Sequence, residues 1–182
     1  GLKLEHSEIK KTAELNKLVV QQPADAHELK QNLIQKKTDL LLVVAYGKIL
    51  DAEILKVARR GSINVHGSLL PKYRGASPIQ ESLVHGDKET GITWIRMTQK
   101  MDSGPILGQE KLAIEEQDTY QSLSEKLSEL AADNTPSILA EFASGKIKGV
   151  GQSEADASYC KKITKEDGRV DFSLENAYQI YN

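Results

Sequence analysis

Short apolar runs alternate with stretches of helical periodicity through the first half of the chain. An unbroken apolar run at residues 40–45 is typical of a strand that is buried on both faces. Before it, Leu29, Leu33 and Ile34 lie at helical spacing, and Asp25 is placed to cap that helix. A helix near residues 52–57, a strand at 62–66 and a helix at 77–84 follow in order. This alternation predicts an α/β fold with a doubly wound, mainly parallel sheet.

The remaining segments extend this pattern at both ends. Ser7 is placed to cap a first helix, and the short apolar run at residues 18–20 predicts a strand. Two longer strands, at 91–98 and 106–114, predict an antiparallel edge, and the loop between them has the composition of a functional loop. Further on, Asp118 with Gln121 resembles the capping box of a long helix, which Pro136 should kink or split.

Two polar side chains stand two positions apart at the end of the predicted strand 62–66. Because successive strand side chains point to opposite faces, Asn64 and His66 share one face, about 6 to 7 Å apart along the strand. An amide and an imidazole on one face can converge on a small reacting group. By itself, the pattern also fits a pair of hydrogen-bonded polar residues without a catalytic role.

Composition excludes several classes of function. The 182 residues carry a formal net charge of −2, so no global basic surface attracts nucleic acid, and any RNA contact must be local or lie outside these residues. A single cysteine excludes an internal disulfide framework and fits a reducing compartment. No apolar run is long enough for a membrane span, no glycine-rich phosphate loop is present, and no spacing of histidines with acidic residues predicts a metal site. We therefore expect a cytoplasmic protein without a metal.

The segments around Asn64 and His66 resemble the folate-dependent formyltransferases. The matching segments are Asn64 with His66, Ser-Leu-Leu-Pro at 68–71, Arg-Gly-Ala-Ser-Pro-Ile-Gln at 74–80, and residues 43–47, 87–93, 101–104 and 163–172. Enzymes of this family move a formyl group from 10-formyltetrahydrofolate to an amine. The resemblance is strongest to the members that use initiator methionyl-tRNA as the acceptor. It indicates no obligate protein partner.

The resemblance also implies roles for individual residues. Formyl transfer passes through a tetrahedral carbon with negative charge on oxygen, and Asn64 and His66 supply donors for that oxygen. Asp102 matches the aspartate of a family loop; it is expected to orient His66, to favour the charged imidazole and to handle protons. The folate is expected to bind at Ser68, Leu69, Leu70 and Pro71. In this loop the two leucines would offer apolar surface and backbone groups.

The family further implies a Rossmann-like core at residues 1–148, with 149–182 as a connector and the start of a next domain. By resemblance, a strand-helix-strand unit would precede Gly1, and a small β-barrel domain would follow Asn182. Residues 173–182 are expected to form a helix. The alternatives are a sugar-nucleotide amine formyltransferase, a 10-formyltetrahydrofolate hydrolase and, more distantly, a non-catalytic RNA-binding module. The 74–80 motif argues against the first two, and the lack of a basic stripe with stacking aromatics argues against the third.

Overall fold

The structure, a computed structural model, describes residues 6–170 and 172. The helix expected at 173–182 lies outside these residues. The helices are α1 (Glu8–Leu15), α2 (Ala26–Gln35), α3 (Ala52–Leu55), α4 (Pro78–Val84) and α5 (Tyr120–Ala143), with a short 3-10 helix at Glu166–Gly168. The strands are β1 (Leu41–Val44), β2 (Ser62–His66), β3 (Arg74–Gly75), β4 (Glu89–Arg96), β5 (Ile106–Ala113) and β6 (Tyr159–Cys160).

Four strands form a mixed main sheet in the order β1-β2-β4-β5. Strand β2 pairs in parallel with β1 and antiparallel with β4, and β4 pairs antiparallel with β5. The α/β fold and its antiparallel edge are confirmed. Among the described residues, parallel pairing in this sheet is limited to β1 and β2. Since these two strands end side by side, their carboxyl ends share one rim with the turn that follows β2.

A second, two-stranded sheet joins the predicted connector to the core. Strand β6 pairs in parallel with β3, and Val150 forms an isolated bridge with Ile106. Residues 150–160 therefore fold back along the turn after β2. The division of the chain at residue 148 remains a prediction, but this part of the connector packs on the predicted core.

One hydrophobic core lies between α5 and the sheet. Its buried members are Ile63, Ile92, Trp94, Leu107, Leu123 and Leu127. The indole of Trp94 donates to the Thr135 hydroxyl at 2.9 Å, and that hydroxyl donates to the Ala131 carbonyl at 2.6 Å. These bonds anchor α5 immediately before Pro136. The expected split is wrong, because the helix continues unbroken to Ala143.

Side-chain caps begin several of the helices. Ser7 and Asp25 cap α1 and α2, as the sequence predicts. The capping box of α5 lies one residue later than predicted: Thr119 is the N-cap, and its partner is Ser122 rather than Gln121. Asp118 fails as the cap because its carboxylate accepts hydrogen bonds from the Ser122 hydroxyl and the Lys126 ammonium group.

The strand predicted at residues 18–20 does not form. Leu18 and Val19 are 64% and 78% exposed, and no described strand pairs with this segment. An isolated apolar run cannot satisfy its backbone groups as a strand without a partner. No helix within residues 6–170 is long and apolar enough to cross a membrane.

Candidate active site

An amide, an imidazole and a carboxylate converge where β2 ends. Asn64 Nδ2 lies 3.4 Å from Asp102 Oδ1, and His66 Nδ1 lies 3.7 Å from Asp102 Oδ2. Asn64 and His66 come from β2, whereas Asp102 comes from the loop between β4 and β5. The structure thus brings together the three residues that the sequence singled out. Their catalytic roles remain a prediction.

Asp102 is held at this point by its backbone and by its side chain. Its φ of 48° lies in the left-handed region, which non-glycine residues adopt with difficulty. The backbone N–H of Gly75 donates to Asp102 Oδ2 at 2.9 Å. Gly75 lies so close to strand β6 that an added Cβ would be 2.0 Å from the carbonyl oxygen of Cys160. A glycine is therefore required beside the carboxylate.

His66 is buried, with 5% of its side chain exposed. Its Nε2 lies 2.9 Å from the Tyr73 carbonyl oxygen, which can only accept, so Nε2 carries a hydrogen and donates it. Burial lowers the pKa of His66, while Asp102 and the Tyr73 carbonyl oppose this effect only in part. Asp102 does favour the charged imidazole, as expected, but desolvation outweighs this effect, so the net shift of the pKa favours the neutral ring. The unprotonated Nδ1 then faces Asp102.

The loop that follows β2 is fixed by hydrogen bonds within the protein. The Ser68 hydroxyl donates to the Lys72 carbonyl at 2.6 Å, and the Thr93 hydroxyl donates to the Ser68 carbonyl at the same distance. Leu70 is only 3% exposed; its N–H donates to Thr93 Oγ1, and its carbonyl accepts from Gln109 Nε2. Ser68 and Leu70 thus stabilise the conformation of the loop through hydrogen bonds within the protein.

Leu69 and Pro71, in contrast, line an open groove of about 560 Å³. The other residues that line it are Lys72, Tyr73, Asp87, Lys88, Glu89, Thr90 and Asp156. The Tyr73 hydroxyl donates to Asp87 at 2.9 Å, and desolvation together with this carboxylate raises the pKa of the Tyr73 phenol far above its usual value. The groove is therefore lined by apolar side chains together with charged side chains of both signs.

A buried arginine beside the cluster was missed as a site residue by the sequence reasoning. Arg74 has no exposed surface, and its guanidinium contacts Gln152 and Glu154 from the segment that folds back after residue 149. Gln152 also donates to the backbone of the Asp102 loop. Arg74 lies within the recognised 74–80 motif, but Gln152 lies in a polar stretch that carries no local signal.

Within residues 6–170 and 172, no group of three or more histidine, cysteine, aspartate or glutamate side chains could hold a metal ion. The polar atoms at the end of β2 are instead suited to stabilising charge and moving protons. Fold and site together describe an α/β protein with a candidate acid-base centre at the rim of its sheet. The chain belongs to the formyl transferase family, whose profile matches residues 2–139.

Curated relatives make the similarity more specific. The chain is 43% identical over 183 residues to the methionyl-tRNA formyltransferase of Hydrogenobaculum sp., covering 100% of this chain and 60% of the relative. It is 39% identical to the methionyl-tRNA formyltransferase of Methylococcus capsulatus, covering 96% of this chain and 58% of that protein. The chain thus spans about three fifths of the length of these relatives.

Solved structures share the fold. HypX from Aquifex aeolicus in complex with tetrahydrofolic acid matches with a TM-score of 0.75 at 16% identity, over 86% of this chain and 27% of that one. Phosphoribosylglycinamide formyltransferase from Bacillus halodurans matches with a TM-score of 0.69 at 24% identity, over 79% of this chain and 78% of that one. At these identities the likeness establishes the architecture alone.

Proposed function

We propose that this protein transfers the formyl group of 10-formyltetrahydrofolate to the amino group of initiator methionyl-tRNA. The observation that carries the proposal is the convergence of Asn64, His66 and Asp102 at the carboxyl end of β2. The choice of acceptor is supported by the relatives at 39% to 46% identity, which are named methionyl-tRNA formyltransferases.

Asn64 supplies the donor that the developing oxyanion needs. Its amide nitrogen carries two hydrogens, and only one of them is directed at Asp102. The second can donate to the formyl oxygen as negative charge accumulates there. A donor fixed in advance in a site of low polarity stabilises this charge without reorganisation.

His66 and Asp102 manage the proton. In the transfer, the amine nitrogen bonds to the formyl carbon, the bond from that carbon to the donor nitrogen breaks, and one proton leaves the amine and reaches the donor nitrogen. The neutral His66 has an unprotonated Nδ1 that can accept this proton, and Asp102 at 3.7 Å stabilises the imidazolium that forms. Because burial disfavours the charged ring, His66 releases the proton readily.

The folate is expected to lie against the loop at 68–71. Leu69 and Pro71 present apolar surface to the groove, while Ser68 and Leu70 keep the loop in shape. The direct ligand contacts in this proposal are therefore those of Leu69 and Pro71. We expect the protein to act in the cytoplasm, where translation begins.

The test uses the protein at its full natural length with 10-formyltetrahydrofolate labelled in the formyl carbon. Methionyl-tRNA, an amino-sugar nucleotide and water are offered as acceptors in separate reactions, and the labelled product is identified. The proposal expects label on the methionyl amino group. A labelled sugar amide would assign the protein to sugar formylation, and labelled formate alone would assign it to hydrolysis. The matched control is Asn64→Ala, which should lose the activity while keeping the fold.

A further inference from the structure

The side chain of Gln152 joins the buried arginine to the Asp102 loop. Its Nε2 donates to the backbone carbonyls of Asp102 and Gly104, each at 2.8 Å. Its Oε1 accepts from Arg74 Nε at 3.0 Å and from Arg74 Nη2 at 2.9 Å. Both ends of the amide are therefore engaged. The guanidinium fixes which end points toward the loop, because the reverse orientation would place an NH2 group against another donor.

Arg74 is a rigid anchor for this amide. Its side chain is fully buried, and Nη1 donates to Glu154 and to the Tyr159 hydroxyl at 3.0 and 3.1 Å. Its backbone N–H donates to the Ser158 carbonyl at 2.9 Å. A buried guanidinium is tolerated only when its donors are satisfied. The arginine and residues 152–159 thus hold each other in one arrangement.

The bonds from Gln152 act on a backbone that needs support. Asp102 has a left-handed φ of 48°, and it directs its carboxylate at Asn64, His66 and Gly75. Strained backbone persists only where its surroundings enforce it. The Gly75 bond holds the carboxylate, whereas Gln152 holds the backbone carbonyls of Asp102 and Gly104. Together, the bonds from Gly75 and Gln152 fix the orientation of the Asp102 side chain and the position of its backbone.

We propose that Gln152 is a positioning residue, which holds Asp102 at the distance from His66 and Asn64 that proton transfer requires. Residues 150–160 are then part of the active site rather than a passive connector. The catalytic consequence of this assignment rests on the proposed function. The geometric part does not, because it concerns where Asp102 lies relative to His66.

Two variants of the full-length protein separate positioning from packing. Gln152→Glu keeps an acceptor for Arg74 but has no hydrogen to donate to the carbonyls of Asp102 and Gly104. Gln152→Met is neutral and of similar length but makes neither set of bonds. The matched control is Gln121→Met, the same kind of substitution at an exposed glutamine of α5, whose amide donates to Glu125 and makes no bond to the Asp102 loop. Thermal unfolding of each variant checks that it folds.

The kinetic readout is the split between kcat and KM. If Gln152 positions Asp102, kcat should fall on the order of tenfold to a hundredfold in both variants, as expected for a small misplacement of a catalytic group. The KM for 10-formyltetrahydrofolate should change less than about twofold. Gln121→Met should behave like the wild type. If Gln152→Glu restored wild-type kcat, Gln152 would serve only the packing of Arg74, and the assignment would be overturned.

The second readout needs no turnover. The pKa of His66 is measured by NMR titration of its ring in the wild type and in Gln152→Met. The Asp102 carboxylate raises this pKa against the effect of burial, so a displaced carboxylate should lower it further. The neutral substitution adds no charge of its own. An unchanged His66 pKa would overturn the assignment. If the wild type formylates no acceptor, the proposed function fails, and this titration still decides the role of Gln152.

Discussion

Replacing Asp102 by asparagine tests whether the carboxylate works with His66 or only shapes the loop. The substitution keeps size and hydrogen-bonding capacity while removing the charge. An asparagine oxygen could still accept from the Gly75 N–H, as Asp102 Oδ2 does at 2.9 Å. Its NH2 group would then face the Asn64 Nδ2 now 3.4 Å away, so two donors would oppose each other. The loop is retained, and the cluster loses its acceptor.

The expected magnitude follows from the separation of Asp102 and His66. At 3.7 Å, a carboxylate stabilises an imidazolium by about 4 kcal/mol when the effective dielectric constant is about 20. Since each 1.36 kcal/mol corresponds to about tenfold in rate, the upper limit is roughly a thousandfold. Loss of a positioned acid-base group costs about a hundredfold or more. We therefore expect Asp102→Asn to lower kcat by between about a hundredfold and a thousandfold.

Steady-state formylation of methionyl-tRNA measures this loss. The single variants Asp102→Asn and His66→Ala are compared with the double variant. Groups that act as one unit are not additive, so the double variant should lose much less than the product of the two single losses. Asp39→Asn, which removes an exposed partner of Arg59, serves as the control and should not change kcat. Near wild-type turnover in Asp102→Asn, or fully multiplicative losses in the double variant, would refute the coupling.

Three further predictions concern stability, measured by denaturant unfolding. Burial lowers the pKa of His66 below its ordinary value of 6.5, so the unfolded chain binds more protons than the folded protein, and the free energy of unfolding should fall as the pH drops below about 6.5. The variant His66→Gln should flatten this fall, whereas His85→Gln, at an exposed histidine, should not. Gly75→Ala should lower the free energy of unfolding by about 2 kcal/mol or more, because the new Cβ would clash with strand β6 and because the φ of 129° disfavours a side chain. Gly151→Ala should be nearly neutral, since no described atom beyond its chain neighbours lies within 4 Å of its Cβ. Leu70→Ala should lower the free energy of unfolding by about 2 to 5 kcal/mol, since the side chain is buried. An unaltered denaturant midpoint would show that the Leu70 side chain does not support the loop.

The sequence pattern correctly predicted those strands and helix caps that depend on neighbouring residues along the chain. The apolar run before Ala45 and the residues around Asn64 and His66 form strands, and Ser7 and Asp25 cap their helices. These features depend on neighbours within a few residues along the chain. Asp102 was identified from the resemblance and not from periodicity. It lies 38 residues from Asn64 in the sequence, and only the fold of its loop brings the two side chains together.

The remaining features depend on partners that a local pattern does not reveal. Residues 18–20 have strand-forming composition but no strand beside them. The net direction of the His66 pKa shift does not follow from the sequence, because the depth of burial, which outweighs the raising effect of Asp102, is a property of the packed fold. The bonds between Arg74 and Gln152 join positions 78 residues apart within polar sequence. No spacing rule predicts such a pair.

The location of the formyl group within the site is the most direct test of this account. A crystal structure of the full-length protein with an unreactive analogue of 10-formyltetrahydrofolate would show it. We expect the formyl oxygen within hydrogen-bond distance of Asn64 Nδ2, the formyl carbon beside His66 and Asp102, and the ligand against Leu69 and Pro71. An analogue whose formyl group lies away from Asn64, His66 and Asp102 would contradict the assignment of these residues as the transfer site.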